Sequence, residues 1–240
     1  MEEKLLNLLN EAHLAEESKG YDKAIKLYEE ALRLSVPNDD KAMLFEFIGQ
    51  CYEKQGREHL AFKNFSRAFA SNPEYENGWY LFYRYAQLAY KFRKFDLSIQ
   101  YLDKVVYKIP SDYQNYIQYS RWLLGNNFLE IEQYKRALSE FKEALKIDTN
   151  SHWKSHIYLG IAHAYFGLNK IDKSIKFALK TLKEGYDEAV EERIYFLLAF
   201  CYSKRGIHCD TKKELYYTEK LQEEFPDSAY LRELKMVNFT

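Results

Sequence analysis

Three histidines are the first residues in this chain that could do chemistry. His152, His156 and His163 stand four and seven residues apart, so on one helix their imidazoles share a face. Such spacing can hold a transition metal, but a closed site needs four ligands. No cysteine or acidic cluster stands beside them, so they read as ordinary polar residues, and no metal or other cofactor is expected. A second set is basic. Lys170, Lys173, Lys176, Lys180 and Lys183 crowd one segment, and the last four recur at three- and four-residue intervals on one face. That face could meet nucleic acid or an acidic partner; the simpler reading is a solvated outward face. The cysteines Cys51, Cys201 and Cys209 are odd in number and read as reduced thiols. His208, Cys209 and Asp210 read as turn and N-cap residues. There is no Gly-rich phosphate loop, nucleophile elbow or paired metal motif, so no enzyme is expected.

The elements that would position these residues follow from a period. Small residues stand at Ala12, Gly49, Ala86, Gly125, Ala162 and Ala199, at steps of 37, 37, 39, 37 and 37. Twelve residues after each comes a second small or near-small residue: Ala24, Ala61, Ser98, Ala137, Ser174 and Thr211. A fixed period of this size predicts stacked two-helix hairpins. Small side chains belong where two helices cross, with Gly49 expected against Ala61 and Gly125 against Ala137. Tyr52, Phe128, Tyr165 and Tyr202 in the first helices, and Tyr28, Phe65, Leu102, Phe141 and Leu215 in the second, should fill the space beside each crossing. Pro37, Pro73, Pro110 and Pro226 mark junctions between hairpins. Gly20, Gly56, Asn169 and Gly206 mark the turns within them, where Arg93 and Glu132 stand in the third and fourth repeats. Asp227 and Ser228 are N-cap candidates for a short last helix. That helix caps the array or makes a dimer contact through Leu231, Leu234, Met236 and Phe239.

Repeat two, FEFIGQCYEKQGREHLAFKNFSRAFASNP, resembles the tetratricopeptide repeat (TPR), with Phe45, Ile48, Gly49, Tyr52, Gly56, Ala61, Phe65, Ala68 and Pro73 in the family's places. GYDKAIKLYEEALRL and YKRALSEFKEALKI are similar. Ser98, Ser174 and Thr211 replace alanine in repeats three, five and six, which weakens the register there. The resemblance implies an all-α fold, a right-handed α-solenoid of about six hairpins with a short C-terminal capping helix. The expected domain is a single array over residues 1–240, with repeats at 5–37, 42–74, 79–111, 118–150, 155–187 and 192–226 and the cap at 227–240. The period exceeds the family's usual length, so the additional residues should lengthen helices or junctions.

In TPR arrays the first helix of each hairpin lines a concave groove. The resemblance therefore implies groove positions at His13 and Glu16, then Glu46, Gln50 and Glu53. After these come Tyr80, Tyr83, Gln87 and Tyr90; Tyr119, Trp122, Asn126 and Leu129; His156, Leu159, His163 and Phe166; and Arg193, Phe196, Phe200 and Lys204. The partner-binding set drawn from these is Tyr80, Tyr83, Gln87, Tyr90, Tyr119, Trp122, Asn126, His156, His163, Phe166, Phe196 and Phe200. Aromatic anchors beside the amides of Gln87 and Asn126 suit a peptide or an amphipathic helix. The acidic first two hairpins would orient a partner with its basic end toward them. Leu9, His13, Glu46 and Gln50 supply no cations to clamp a C-terminal carboxylate, so the large heat-shock proteins are not expected partners.

The expected function is a protein–protein interaction scaffold or adaptor binding a peptide or helix of a partner in the groove. The alternatives are a helical-repeat RNA binder and a peptide-sensing regulator. Charge is balanced, 35 Lys+Arg against 36 Asp+Glu, which gives no general attraction to nucleic acid or anionic membrane. The longest apolar run, Ile194 to Tyr202, is too short to span a bilayer, and MEEKLLNLLNEAH is acidic where a signal peptide is basic. A cytoplasmic protein, monomeric or weakly dimeric, is expected. Its Lys-, Ile-, Asn- and Tyr-rich usage points to a bacterial source.

Overall fold

Glycine and alanine at the helix crossings, with large rings beside them, fix how these helices pair. The computed structural model describes residues 2–34, 36–73, 75, 78–147, 153–184, 188–204 and 210–237. Among the described residues there are thirteen α-helices and no strand. The chain divides into two compact units, Met1–Ile109 and Pro110–Thr240. The first holds α1 (Glu2–Glu17), α2 (Tyr21–Leu32), α3 (Asn38–Lys54), α4 (Glu58–Ser71), α5 (Gly78–Lys91) and α6 (Phe95–Val105). The second holds α7 (Gln114–Glu130), α8 (Tyr134–Leu145), α9 (Trp153–Gly167), α10 (Ile171–Glu184), α11 (Glu188–Ser203), α12 (Thr211–Glu224) and α13 (Ala229–Val237). Within each unit every odd helix pairs with the even helix after it, and each hairpin packs on the next. The first helices begin at Glu2, Asn38, Gln114 and Glu188, ahead of the repeat boundaries read from sequence, so additional length lies in the first helix. Among the described residues no helix is long and apolar enough to cross a membrane.

The hairpin turns share one backbone device. Lys19, Gly56, Arg93, Glu132 and Asn169 all have positive φ, between 55° and 72°. At each, the next residue's N–H reaches back five positions, as in Gly20 to Ala15 O (2.7 Å), Lys94 to Ala89 O (2.8 Å) and Gln133 to Phe128 O (2.8 Å). This is the Schellman closure of a helix. It corrects the reading of the first turn: Lys19 takes the left-handed conformation, while Gly20 has φ −79°. Arg93 and Glu132 close their turns as Gly56 does. Gly206 lies outside the described residues.

The crossings are filled by rings. A methyl group on Gly49 would collide with Phe65, and one on Gly125 with Phe141. The space beside each glycine thus belongs to the ring one turn beyond Ala61 or Ala137, a refinement of the small-against-small expectation. Phe65 and Phe141 are fully buried, as are Tyr28 and Phe128, and burying each such side chain contributes about 1.5–3 kcal/mol. Ser98 and Ser174 keep the register that their replacement of alanine was expected to weaken. Their hydroxyls donate to Ala86 O (2.9 Å) and Ala162 O (2.8 Å), the small residues across the crossing, so neither polar atom is stranded.

The sixth hairpin departs from the pattern. Thr211 is the exposed first residue of α12, and Leu215 is 57% exposed, so neither fills a crossing. The earlier second helices begin three residues before their small position, whereas α12 begins at it. Asp210 caps α12 by accepting from Lys213 N (3.2 Å). Ser228, and not Asp227, caps α13, accepting from Tyr230 N (3.2 Å). Leu234 of α13 is buried with Tyr195, Ala199 and Leu221, and Leu231 packs against them, which is the capping role. The side chains of Met236 and Phe239 lie outside the described residues.

Candidate functional site

The helical period places the ring-bearing residues of α7 and α9 side by side. Tyr119 and Trp122 are three residues apart on α7, Trp153 and His156 three apart on α9, and each pair shares a face. The two helices are neighbours. Ring centroids lie 5.0 Å apart for Tyr119–Trp153, 5.3 Å for Trp122–Trp153, 5.2 Å for Tyr119–Trp122 and 5.2 Å for Trp153–His156. Trp122 and His156 complete the group at 6.1 Å. All four side chains are half-buried, so each keeps an open surface. Rings at these separations reinforce one another, and their few rotatable bonds make them rigid anchors. Trp153 is the member that sequence missed, because the fifth repeat was placed from residue 155. Its signal was an aromatic residue three before His156, one helical turn away.

Further along this face, Phe166 and Phe200 meet edge-on at 5.3 Å. Phe196 is stacked under Tyr230 of α13 at 4.6 Å, so the capping helix covers one of its faces. Leu159 is core. His163 has its Nε2 buried with no hydrogen-bond partner among the described residues; burial, reinforced by the nearby Arg193 charge, lowers its pKa to about 3. Arg193 is half-buried and makes no ion pair among the described residues. Asn126 is 7% exposed, and its Nδ2 donates to Trp122 O (2.8 Å). It was expected to offer its amide to a peptide; the donor is instead engaged inside its own helix.

The first unit presents a different face. Tyr80 is 44% exposed and Tyr83 only 7%, and with Trp79 they form a ring cluster. Gln87 donates to Tyr83 OH (2.8 Å) and accepts from Arg84 Nη1 (2.7 Å), so its amide too is engaged internally. Tyr90 is half-buried against Phe95. The acids do not stand open. Glu16 accepts from Tyr28 OH (2.6 Å) and Lys54 Nζ (2.9 Å). Burial pushes its pKa up, but these bonds outweigh that and hold it below the usual carboxylate value. Glu46 accepts from Gln50 (2.9 Å) and Tyr75 OH (2.8 Å). Glu53 is held by Arg84 through Nε (3.0 Å) and Nη2 (2.6 Å), a fork-shaped pair. Burial disfavours the Arg84 charge, yet these bonds raise its pKa above the ordinary value. Glu16 and Glu53 are thus ion-paired with Lys54 and Arg84, while the buried Glu46 is held by the neutral donors Gln50 and Tyr75.

Among the described residues no three metal-ligating side chains converge; His152 lies outside them. Burial raises the Cys51 thiol to about 12 and the Cys201 thiol to about 11, so neither forms a thiolate at neutral pH.

Known proteins repeat this architecture. Residues 9–76 match the tetratricopeptide repeat family model, and no curated protein matches the sequence. Among solved structures the chain is similar to PilF of Pseudomonas aeruginosa (14% identity, TM-score 0.60, 98% of each chain covered). It is also similar to RapI in its apo form (15% identity, TM-score 0.64, 97% of this chain and 80% of that one). A third is YrrB, described as a TPR protein with an unusual peptide-binding site (18% identity, TM-score 0.63, 76% and 87%). Residues 9–76 thus match tetratricopeptide repeats by sequence, and the described hairpins share the fold of these solved structures.

Proposed function

We propose that this protein is a non-catalytic scaffold that binds a peptide or helix of a partner protein along the first helices of its hairpins. The anchor is the Tyr119–Trp122–Trp153–His156 cluster of the second unit. The observation that carries this reading is that cluster: two tryptophans, a tyrosine and a histidine in mutual contact, each half-buried. Binding hot spots are enriched in such rings, where a partner's apolar side chain is desolvated between rigid walls. Phe166 and Phe200 extend the apolar track, and unpaired Arg193 offers a carboxylate of the partner a charge-assisted bond. In the first unit Tyr80 and Tyr90 are candidate contacts of their own; Tyr80 packs on Tyr83, which Gln87 bonds, and Tyr90 packs on Phe95. The peptide-binding site attributed to YrrB supports a peptide as the bound segment. The unreactive buried thiols suit a reducing compartment such as the cytoplasm.

Affinity capture from a lysate of the encoding organism tests the reading. Wild-type protein is compared with Trp122→Ala/Trp153→Ala, and circular dichroism checks that helicity is kept. A partner retained by wild type and lost from the double variant supports the site. Equal retention by both moves the site off α7 and α9.

A further inference from the structure

The first-helix face leaves the second helices of the last two hairpins without a role. Between α10 and α12 runs a cleft of about 600 Å³. Ile175, Leu179 and Tyr202 form its floor, and Lys176, Lys180 and Lys183 of α10 form one wall. A second cavity of about 460 Å³ shares Asp172 with it and continues around the hairpin turn past Lys170 and Lys173. The floor is apolar and the rim is cationic apart from Asp172, which stands at the end nearest the hairpin turn.

The lysines of this wall are not neutralised. Elsewhere in the chain basic side chains at helix contacts meet acids: Lys54 with Glu16, Arg84 with Glu53, Lys91 with Glu58, Arg121 with Glu140. On the far side of the cleft Lys213 pairs with Asp210 at 3.1 Å. Lys176, Lys180 and Lys183 form no ion pair among the described residues; Lys180 rests over the Tyr158 ring at 4.1 Å. The three stand at i, i+4 and i+7, a ladder of two helical turns spanning about 10.5 Å. A helix lying beside α10 matches that ladder when its acids recur at the same interval, and apolar residues between them reach the floor.

We propose that the α10–α12 cleft docks an acidic amphipathic helix of a partner protein, a second binding surface independent of the ring cluster on α7 and α9. The occupant is set by charge complementarity and by the floor. An acidic helix neutralises three unpaired lysines and buries leucine-type side chains on Ile175 and Leu179. Single-stranded RNA would neutralise the lysines too, but it binds by stacking bases on exposed rings. The ring in this floor, Tyr202, is 3% exposed and offers no face.

The test uses the full chain and a fluorescein-labelled synthetic helix. That peptide carries leucine at every third or fourth position and glutamate on both flanks, and binding is read by fluorescence anisotropy. Saturable binding is expected, weakened about tenfold or more by replacing the peptide's glutamates with glutamine and by raising salt to screen the pairs. Lys176→Glu/Lys180→Glu/Lys183→Glu should abolish it, while Trp122→Ala/Trp153→Ala leaves it unchanged, which separates this site from the ring cluster. The glutamine peptide on wild-type protein keeps the test decisive if the triple variant misfolds. The proposal is overturned if the glutamate peptide fails to bind, or if the glutamine peptide binds equally. Undiminished binding by the folded triple variant, or tighter binding of a single-stranded oligoribonucleotide, overturns it as well.

Discussion

Phe141 is held between two glycines, Gly125 on α7 and Gly160 on α9, and a methyl group on either would overlap its ring. Alanine is the better helix former by about 1 kcal/mol, but the ring is fully buried and overpacking costs about 1–3 kcal/mol. Gly160→Ala is therefore expected to lower stability in urea denaturation despite its higher helix propensity, by up to about 2 kcal/mol. Gly125 was legible because it falls on the repeat; Gly160 was not, because its need comes from a ring in the preceding hairpin. His163 makes a second residue-level prediction. Burial and Arg193 lower its folded pKa to about 3, against 6.5 for the free side chain. Between those values the unfolded chain binds a proton that the folded chain refuses, so stability falls as pH drops through that window. The slope from this one group reaches about 1.4 kcal/mol per pH unit. In His163→Gln, urea denaturation across that pH range should show a slope shallower by up to that amount. A slope identical to wild type would show that the imidazole titrates normally in the fold.

At the scale of elements, the hairpin turn is set by backbone hydrogen bonding more than by residue type. Lys19, Gly56, Arg93, Glu132 and Asn169 all adopt the left-handed conformation at the same place in the repeat. Sequence pointed to Gly56 and Asn169, which tolerate that conformation. It misplaced the first turn by one residue and left Arg93 and Glu132 uncertain, because the closure comes from amides reaching back to carbonyls. A side chain in this conformation carries strain that glycine lacks. Glu132→Gly is thus expected to raise stability by about 0.5–1 kcal/mol, after allowing for glycine's greater unfolded entropy, as read from the urea midpoint. The displaced start of α12 was illegible for a related reason: Thr211 matches the spacing, but a cap at Asp210 fixes where the helix begins. Asp210→Ala should cost about 1 kcal/mol.

At the scale of the whole molecule, the period of 37 made the hairpins and their order readable, because each hairpin repeats the same packing problem. The single step of 39 falls where the chain divides, between α6 and α7, with the division at Ile109 and Pro110. The residues of the candidate faces were legible only in part. Period and resemblance chose the first helices and named Tyr119, Trp122 and His156. They could not reveal that Asn126, Gln87 and the first unit's acids are already engaged within the protein, since repeat spacing does not say whether a side chain bonds its own helix, as Asn126 and Gln87 do, or another, as Glu16 and Glu53 do. The proposed recognition site therefore lies on the rings of α7 and α9. Site-specific photo-crosslinking tests that claim most directly, with benzoylphenylalanine placed at His156 and, as a control, at exposed Lys142 of α8. In a lysate of the encoding organism, the account predicts a discrete crosslinked partner from position 156 and none of that mass from position 142. A partner crosslinking from 142 and absent at 156 would contradict it.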